Sequence, residues 1–243
     1  MKSPSKQAES PNYVLIALFI GIIYLVAHVG FYKTYWVSFP DFKGFELLHH
    51  IHGMLMVSWL LLLIIQPLLI RSGKYRAHRF LGKLSYFIAP LVLASMFLIL
   101  RLGYHKGISS NLERDVIAGI ALNIPQLLEF PLFYLLAIIS ILKNDPARHM
   151  RYMIGTALIM ISAGLGRVLI VLLKVEFNTA LLTTLYIEAG LATVFLLYDL
   201  VKKKDYIPNL IIASSFIIST LIYYERYSDF FQAFGRFFTR TFF

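Results

Sequence analysis

Seven long apolar runs separated by short polar segments organise the chain: about Tyr13 to Tyr32, Phe45 to Ile70, Phe80 to Leu102, Val116 to Leu142, Tyr152 to Leu173, Ala180 to Val201 and Ile207 to Tyr224. A helix needs about 20 mostly apolar residues to cross a bilayer, and the runs are of that order. The pattern predicts an all-α fold, a polytopic transmembrane helix bundle of about seven spans. The seventh run is the weakest, because Asn209, Ser214, Ser215, Ser219 and Thr220 dilute it; the pattern alone leaves open whether it crosses. Three parts follow: a cytoplasmic leader over residues 1–12, the bundle over 13–224 and an aromatic tail over 225–243. The first run is too long for a signal-peptide core and no small-residue cleavage site follows it, so it is read as a retained anchor. In the tail, Phe230, Phe234, Phe237, Phe238 and Thr241 recur at helical spacing, with Asp229, Gln232, Arg236 and Arg240 on the other side. That predicts an amphipathic helix lying in the membrane interface.

Composition narrows the class. With 58% apolar residues, 15% charged ones and a mean hydropathy of +0.71, a soluble enzyme, a disordered chain and a large extramembrane domain are excluded. A net charge of +10 would suggest nucleic acid in a soluble protein, but these bases sit in short loops and read as topology signals and partners of lipid phosphate. Lys and Arg favour the cytoplasmic side. With the N-terminus inside, inner segments hold thirteen of the 23 bases and outer segments nine, with Arg167 inside the fifth run. The expected location is the bacterial cytoplasmic (inner) membrane, with the lipid bilayer as partner and no nucleic acid. The chain has no cysteine, so any metal or cofactor must be held by His, Met or oxygen.

A polar side chain in hydrocarbon costs a few kcal/mol unless paired, so intramembrane polar residues are the best functional pointers. On the second run His49, His52, Met56, Trp59, Leu63 and Gln66 are spaced 3, 4, 3, 4 and 3, one stripe of a helix that should face the bundle. Counting depth from each outer end puts His52, Asn123, Arg167 and Glu188 about two turns in, at one level, with Gln126 and Glu129 deeper on the fourth run. Pro125 and Pro131 free carbonyls there. The expected site is a polar cavity in the outer half, built from His52, Asn123, Gln126, Arg167 and Glu188, with His49 and His28 at its mouth. An ion pair of Arg167 with Glu188, serving packing alone, is the alternative.

A second cluster lies at the inner face: Gln66, Pro67, Arg71, His78, Arg79, Gly82 and Lys83, with Arg148, His149 and Arg151 opening the fifth run. His78 and His149 start their runs on the same side; the alternative is that both are interfacial anchors among bases on lipid phosphate. The stretch Leu48-His49-His50-Ile51-His52-Gly53, then Trp59, Gln66-Pro67, His78-Arg79 and Gly82-Lys83, resembles a group of uncharacterised multi-pass bacterial membrane proteins with the pattern His-Gly, Gln, His-Arg-x-x-Gly, over roughly residues 45 to 170. The resemblance implies a helical membrane fold and carries no activity. More loosely, His78 and His149 resemble a haem-ligating pair of transmembrane b-type cytochromes, although the fourth run holds no His for a second pair.

Four functions follow as expectations. One is a redox membrane protein that binds haem b through His78 and His149 or interacts with quinone. Another is a binder or carrier of a small solute, with Arg167 as charge partner and Glu129 or Glu188 protonatable. A third uses His49, His52 and Met56 as ligands for zinc or copper. The fourth is an accessory subunit with a membrane-protein partner. Whether catalysis occurs is open, since no phosphate-cradling loop, nucleophile elbow or His-Glu-x-x-His motif is present.

Overall fold

In the computed structural model, which describes residues 11–243, the described residues form helices joined by short turns, with no strand among them, and seven helical segments are long and apolar enough to cross a membrane. The chain is a multi-pass membrane protein. Most of the leader predicted over residues 1–12 lies outside the described residues. Helix α1 (Tyr13–Tyr32) is capped by the Asn12 side chain, which accepts the Leu15 N–H. Helices α2 (Leu47–Arg71) and α3 (Tyr75–Ile108) form the next two spans. At 34 residues, α3 outruns its apolar run at both ends. Bases and Tyr side chains there lower the hydropathy without ending the helix, because the turns are simply no longer in hydrocarbon.

The fourth and fifth spans are broken, which the apolar pattern did not show. The fourth consists of α4 (Glu113–Ile120) and α5 (Asn123–Leu142), interrupted at Ala121 and Leu122. The break lies four residues before Pro125, whose ring lacks the N–H that would bond to the Ala121 carbonyl and collides with it. Pro131 sits inside α5 without ending it. The fifth consists of α6 (Pro146–Leu158) and α7 (Ile161–Arg167), then one π-helical turn over Val168–Leu172. Helices α8 (Phe177–Val201) and α9 (Ile207–Tyr224) complete the bundle, so the weak seventh run is long and apolar enough to cross. Outside the membrane, Glu176 caps α8 by accepting the N–H groups of Asn178 and Thr179 and the Thr179 hydroxyl. Those donors hold its carboxyl below the usual range.

The tail forms α10 (Asp229–Phe242), as its spacing predicts, but it docks on the bundle. Phe231, Gln232, Gly235 and Thr239 are buried, and a Cβ on Gly235 would run into Ile117 of α4. Gln232 donates to the carbonyls of Arg114 and Arg226. Phe230 and Phe237 point away from the protein, 83% and 66% exposed, and supply the apolar surface that an interfacial helix offers to lipid.

The core surrounds Trp59, which is fully buried, donates its indole N–H to Thr156 Oγ1 (3.2 Å) and meets Phe130 and Tyr134 edge-on. Helix α1 packs against α2 and α7, α5 against α6, and α8 against α9. At the crossing of α1 and α7 the backbones nearly touch: a Cβ on Gly164 would lie 2.6 Å from Ala27 Cα, and one on Gly30 would strike the Gly164 carbonyl. Gly164→Ala should therefore destabilise the protein by about 1–3 kcal/mol, because backbone rather than a flexible side chain has to move. Thermal unfolding in detergent checks this; an unchanged melting temperature would show that the crossing tolerates separation.

Candidate functional site

The stripe on α2 faces inward. Trp59 and Leu63 are buried and His49, His52, Met56 and Gln66 half-buried, whereas Ile51, Met54, Leu61, Ile65 and Leu68 are exposed. His52 Nδ1 lies 3.0 Å from Ser95 Oγ on α3. Ser95 already donates its hydroxyl hydrogen to the Val92 carbonyl (2.8 Å), so His52 donates from Nδ1 and keeps an acceptor lone pair on Nε2. Arg167 and His49 are within electrostatic reach of His52.

Arg167 closes α7. Its Nη1 donates to the Ala163 carbonyl (2.8 Å), and its guanidinium carbon lies 4.0 Å from the centroid of the Phe31 ring on α1. Among the described residues no carboxylate lies within ion-pair distance of it. The alternative pairing with Glu188 is therefore corrected, and the reason is depth. Helix α8 begins at Phe177 rather than Ala180, which puts Glu188 eleven residues, about 16 Å, from its start.

Glu188 instead accepts the backbone N–H of Ser162 (2.9 Å), at the break in the fifth span. Gln126 donates from Nε2 to Ser162 Oγ (2.7 Å), which ties α5, α7 and α8 together through one residue. The break and the carboxylate explain each other: Ser162 N–H would otherwise bond to the Leu158 carbonyl, and an acceptor inserted into the ladder holds the helix open. Glu129, one turn below Gln126, accepts the Ser219 hydroxyl of α9 at 2.5 Å. Among the described residues neither Glu129 nor Glu188 has a cationic partner within ion-pair distance.

The set expected at one level is thus divided. His52 and Arg167 form an outer group, and Gln126 and Glu188 a deeper one, with Glu129 beneath. Asn123 donates to the Gly119 carbonyl across the break in its own span and joins neither group through a hydrogen bond. Toward the outer surface, His28 bonds to the Tyr24 carbonyl and stacks on Trp36, and His49 completes a capping box with Glu46. His49, His52 and Met56 share a face as a metal site requires, but His49 Nδ1 accepts the Glu46 N–H, which places the ring proton on Nε2, and Met56 packs against the core. Among the described residues no three His, Asp or Glu side chains gather as metal ligands.

At the inner end, His149 Nδ1 donates to the Ala137 carbonyl (3.0 Å), leaving Nε2 open. His78 lies within electrostatic reach of His149. The fourth span supplies no histidine for a second pair, so a haem-ligating arrangement is not supported. Sequence reasoning missed Ser95 and Ser162, each a hydroxyl in an apolar run, and Asp199, an acid near the inner end of the sixth, and it read Ser219 only as diluting the seventh run. The Arg151 guanidinium grips both Asp199 oxygens (2.7 and 2.9 Å), and Asn209 Nδ2 donates to one of them (2.7 Å). Compared with family models, curated proteins and solved structures, the chain matches none.

Proposed function

We propose that this membrane protein binds a small anionic solute at Arg167 in the outer half of the bundle and takes up a proton with it at His52, as a binder or carrier of that solute. One observation carries the reading: an intramembrane guanidinium whose partners are a carbonyl of its own helix and an aromatic ring, with no carboxylate beside it among the described residues. Neither partner offsets a full charge in a low dielectric, and an intramembrane ionisable residue is by default a functional one. The guanidinium fork suits carboxylate-like anions.

His52 adds the proton. In its neutral form it turns a lone pair on Nε2 outward, which repels an anion, and once protonated both nitrogens donate. Anion and proton then arrive together, with Ser95 fixing the ring. Glu188 and Glu129 lie deeper, where breaks in two neighbouring spans give the bundle points at which one half can move against the other. The excess of bases at one end supports a bacterial cytoplasmic membrane with the N-terminus inside.

Chloride, formate and sulfate stay ionised above about pH 5 and so isolate the protein's own proton. Binding of at least one of them to the protein in lipid nanodiscs should tighten as pH falls. The slope should flatten in His52→Gln while binding at high pH persists. Binding of none of the three, or a slope unchanged by His52→Gln, would overturn the proposal.

A further inference from the structure

Two buried polar atoms at the inner end of the bundle have no hydrogen-bond partner: Gln66 Oε1 on α2 and His78 Nδ1 on α3. They belong to one arrangement, because Gln66 Nε2 donates to the His78 carbonyl (3.3 Å) and so ties the end of one span to the start of the next. Gly82 keeps the space beside Gln66 narrow but open; a Cβ there would stand 3.8 Å from Nε2. His149, with its Nδ1 turned to the Ala137 carbonyl and its Nε2 free, opens the neighbouring fifth span at the same end of the bundle. Buried polar atoms left unpaired cost about 1–3 kcal/mol each, so two in one place point to a missing partner.

The chemistry of these atoms selects the partner. Gln66 Oε1 only accepts, so the partner must donate a hydrogen; this excludes a phosphate or carboxylate despite the nearby bases Arg76 and Arg79. His78 Nδ1 donates or accepts by tautomer, so a group that gives one hydrogen and receives another satisfies both atoms. A hydroxyl does so. The neighbouring surface is lipid-facing, with Tyr75, Phe80 and Phe87 exposed along α3, so the hydroxyl arrives on a molecule that partitions into the bilayer. We propose that Gln66, His78 and His149 form a binding site for the hydroxyl of a lipid-borne quinol, with the quinol O–H donating to Gln66 Oε1 and its oxygen accepting from His78 Nδ1. The site is independent of Arg167 and lies at the opposite end of the bundle.

A quinone carbonyl cannot donate to Gln66, so the reduced form binds more tightly than the oxidised one. The probes are a short-tailed benzoquinol and its quinone, titrated under anaerobic conditions into the full chain in nanodiscs. Wild type should bind the quinol about tenfold more tightly than the quinone, the fold-change for one hydrogen bond made in a shielded place. Gln66→Leu should erase that preference, and Gln66→Glu, which keeps an acceptor oxygen, should retain it. His78→Phe should weaken both forms. If Gln66→Leu fails to fold, the quinol-to-quinone ratio of wild type decides alone. Equal affinities in wild type, no saturable quinol binding, or a preference that survives Gln66→Leu would each overturn the proposal; the last two would leave a water molecule as the partner of the two atoms.

Discussion

Arg167→Gln is expected to lose anion binding by on the order of a hundredfold while the protein's thermal stability holds or rises. Two charge-assisted hydrogen bonds disappear, each amounting to about 1.5–3 kcal/mol, and the amide that replaces the guanidinium carries no charge to attract the solute. The stability half of the prediction separates a binding residue from a structural one. If Arg167 balanced a buried carboxylate, removing it would strand that acid and unfold the bundle more readily. The acid that the sequence pairs with it, Glu188, is held by Ser162, so that acid is not stranded. What the variant forfeits is a contact with Phe31 and a bond to the Ala163 carbonyl; what it sheds is the desolvation of a lone cation. Binding isotherms for chloride, formate and sulfate alongside melting curves check both halves, and a marked drop in melting temperature with binding retained would return Arg167 to a packing role.

The spans were legible because hydropathy reports them directly, and the inward stripe of α2 because its 3, 4, 3, 4, 3 spacing leaves one face for His52, Trp59 and Gln66. The breaks at Ala121 and Ile159 were not. Pro125 gave a hint of the first, but the second has no proline and depends on Glu188 reaching Ser162 from another span, a contact with no local signature. Depth failed for the same reason at Glu188. Helix α8 starts three residues before its apolar run, since Glu176 caps it from outside, and three residues move a side chain by nearly a turn. Residues whose partners are local, such as Asn123, gave the falsest impression. An amide in an apolar run looks like a cavity wall until the break beside it supplies a free carbonyl.

Asp199→Asn should give the largest loss of stability of any single substitution at the inner end, about 3–5 kcal/mol. Asp199 and Arg151 are 3% and 12% exposed, and the two-pronged contact between them, joined by Asn209, fastens the fifth, sixth and seventh spans to one another. Taking away the acid leaves a guanidinium with no compensating charge where water does not reach, and that residue of charge, rather than the lost attraction, is what makes the change severe. Replacing both partners together with apolar residues of similar volume, Arg151→Met with Asp199→Leu, should therefore recover most of the loss. The neighbouring pair is the control. Arg148 and Asp205 meet at 2.5 Å but are 43% and 36% exposed, so solvent screens them, and Asp205→Ala should cost less than about 1 kcal/mol. Denaturation of the three variants in the same lipid or detergent compares them directly. A loss at Asp205 as large as that at Asp199 would mean that distance between the charges, not their removal from water, governs how these loops hold the helices together.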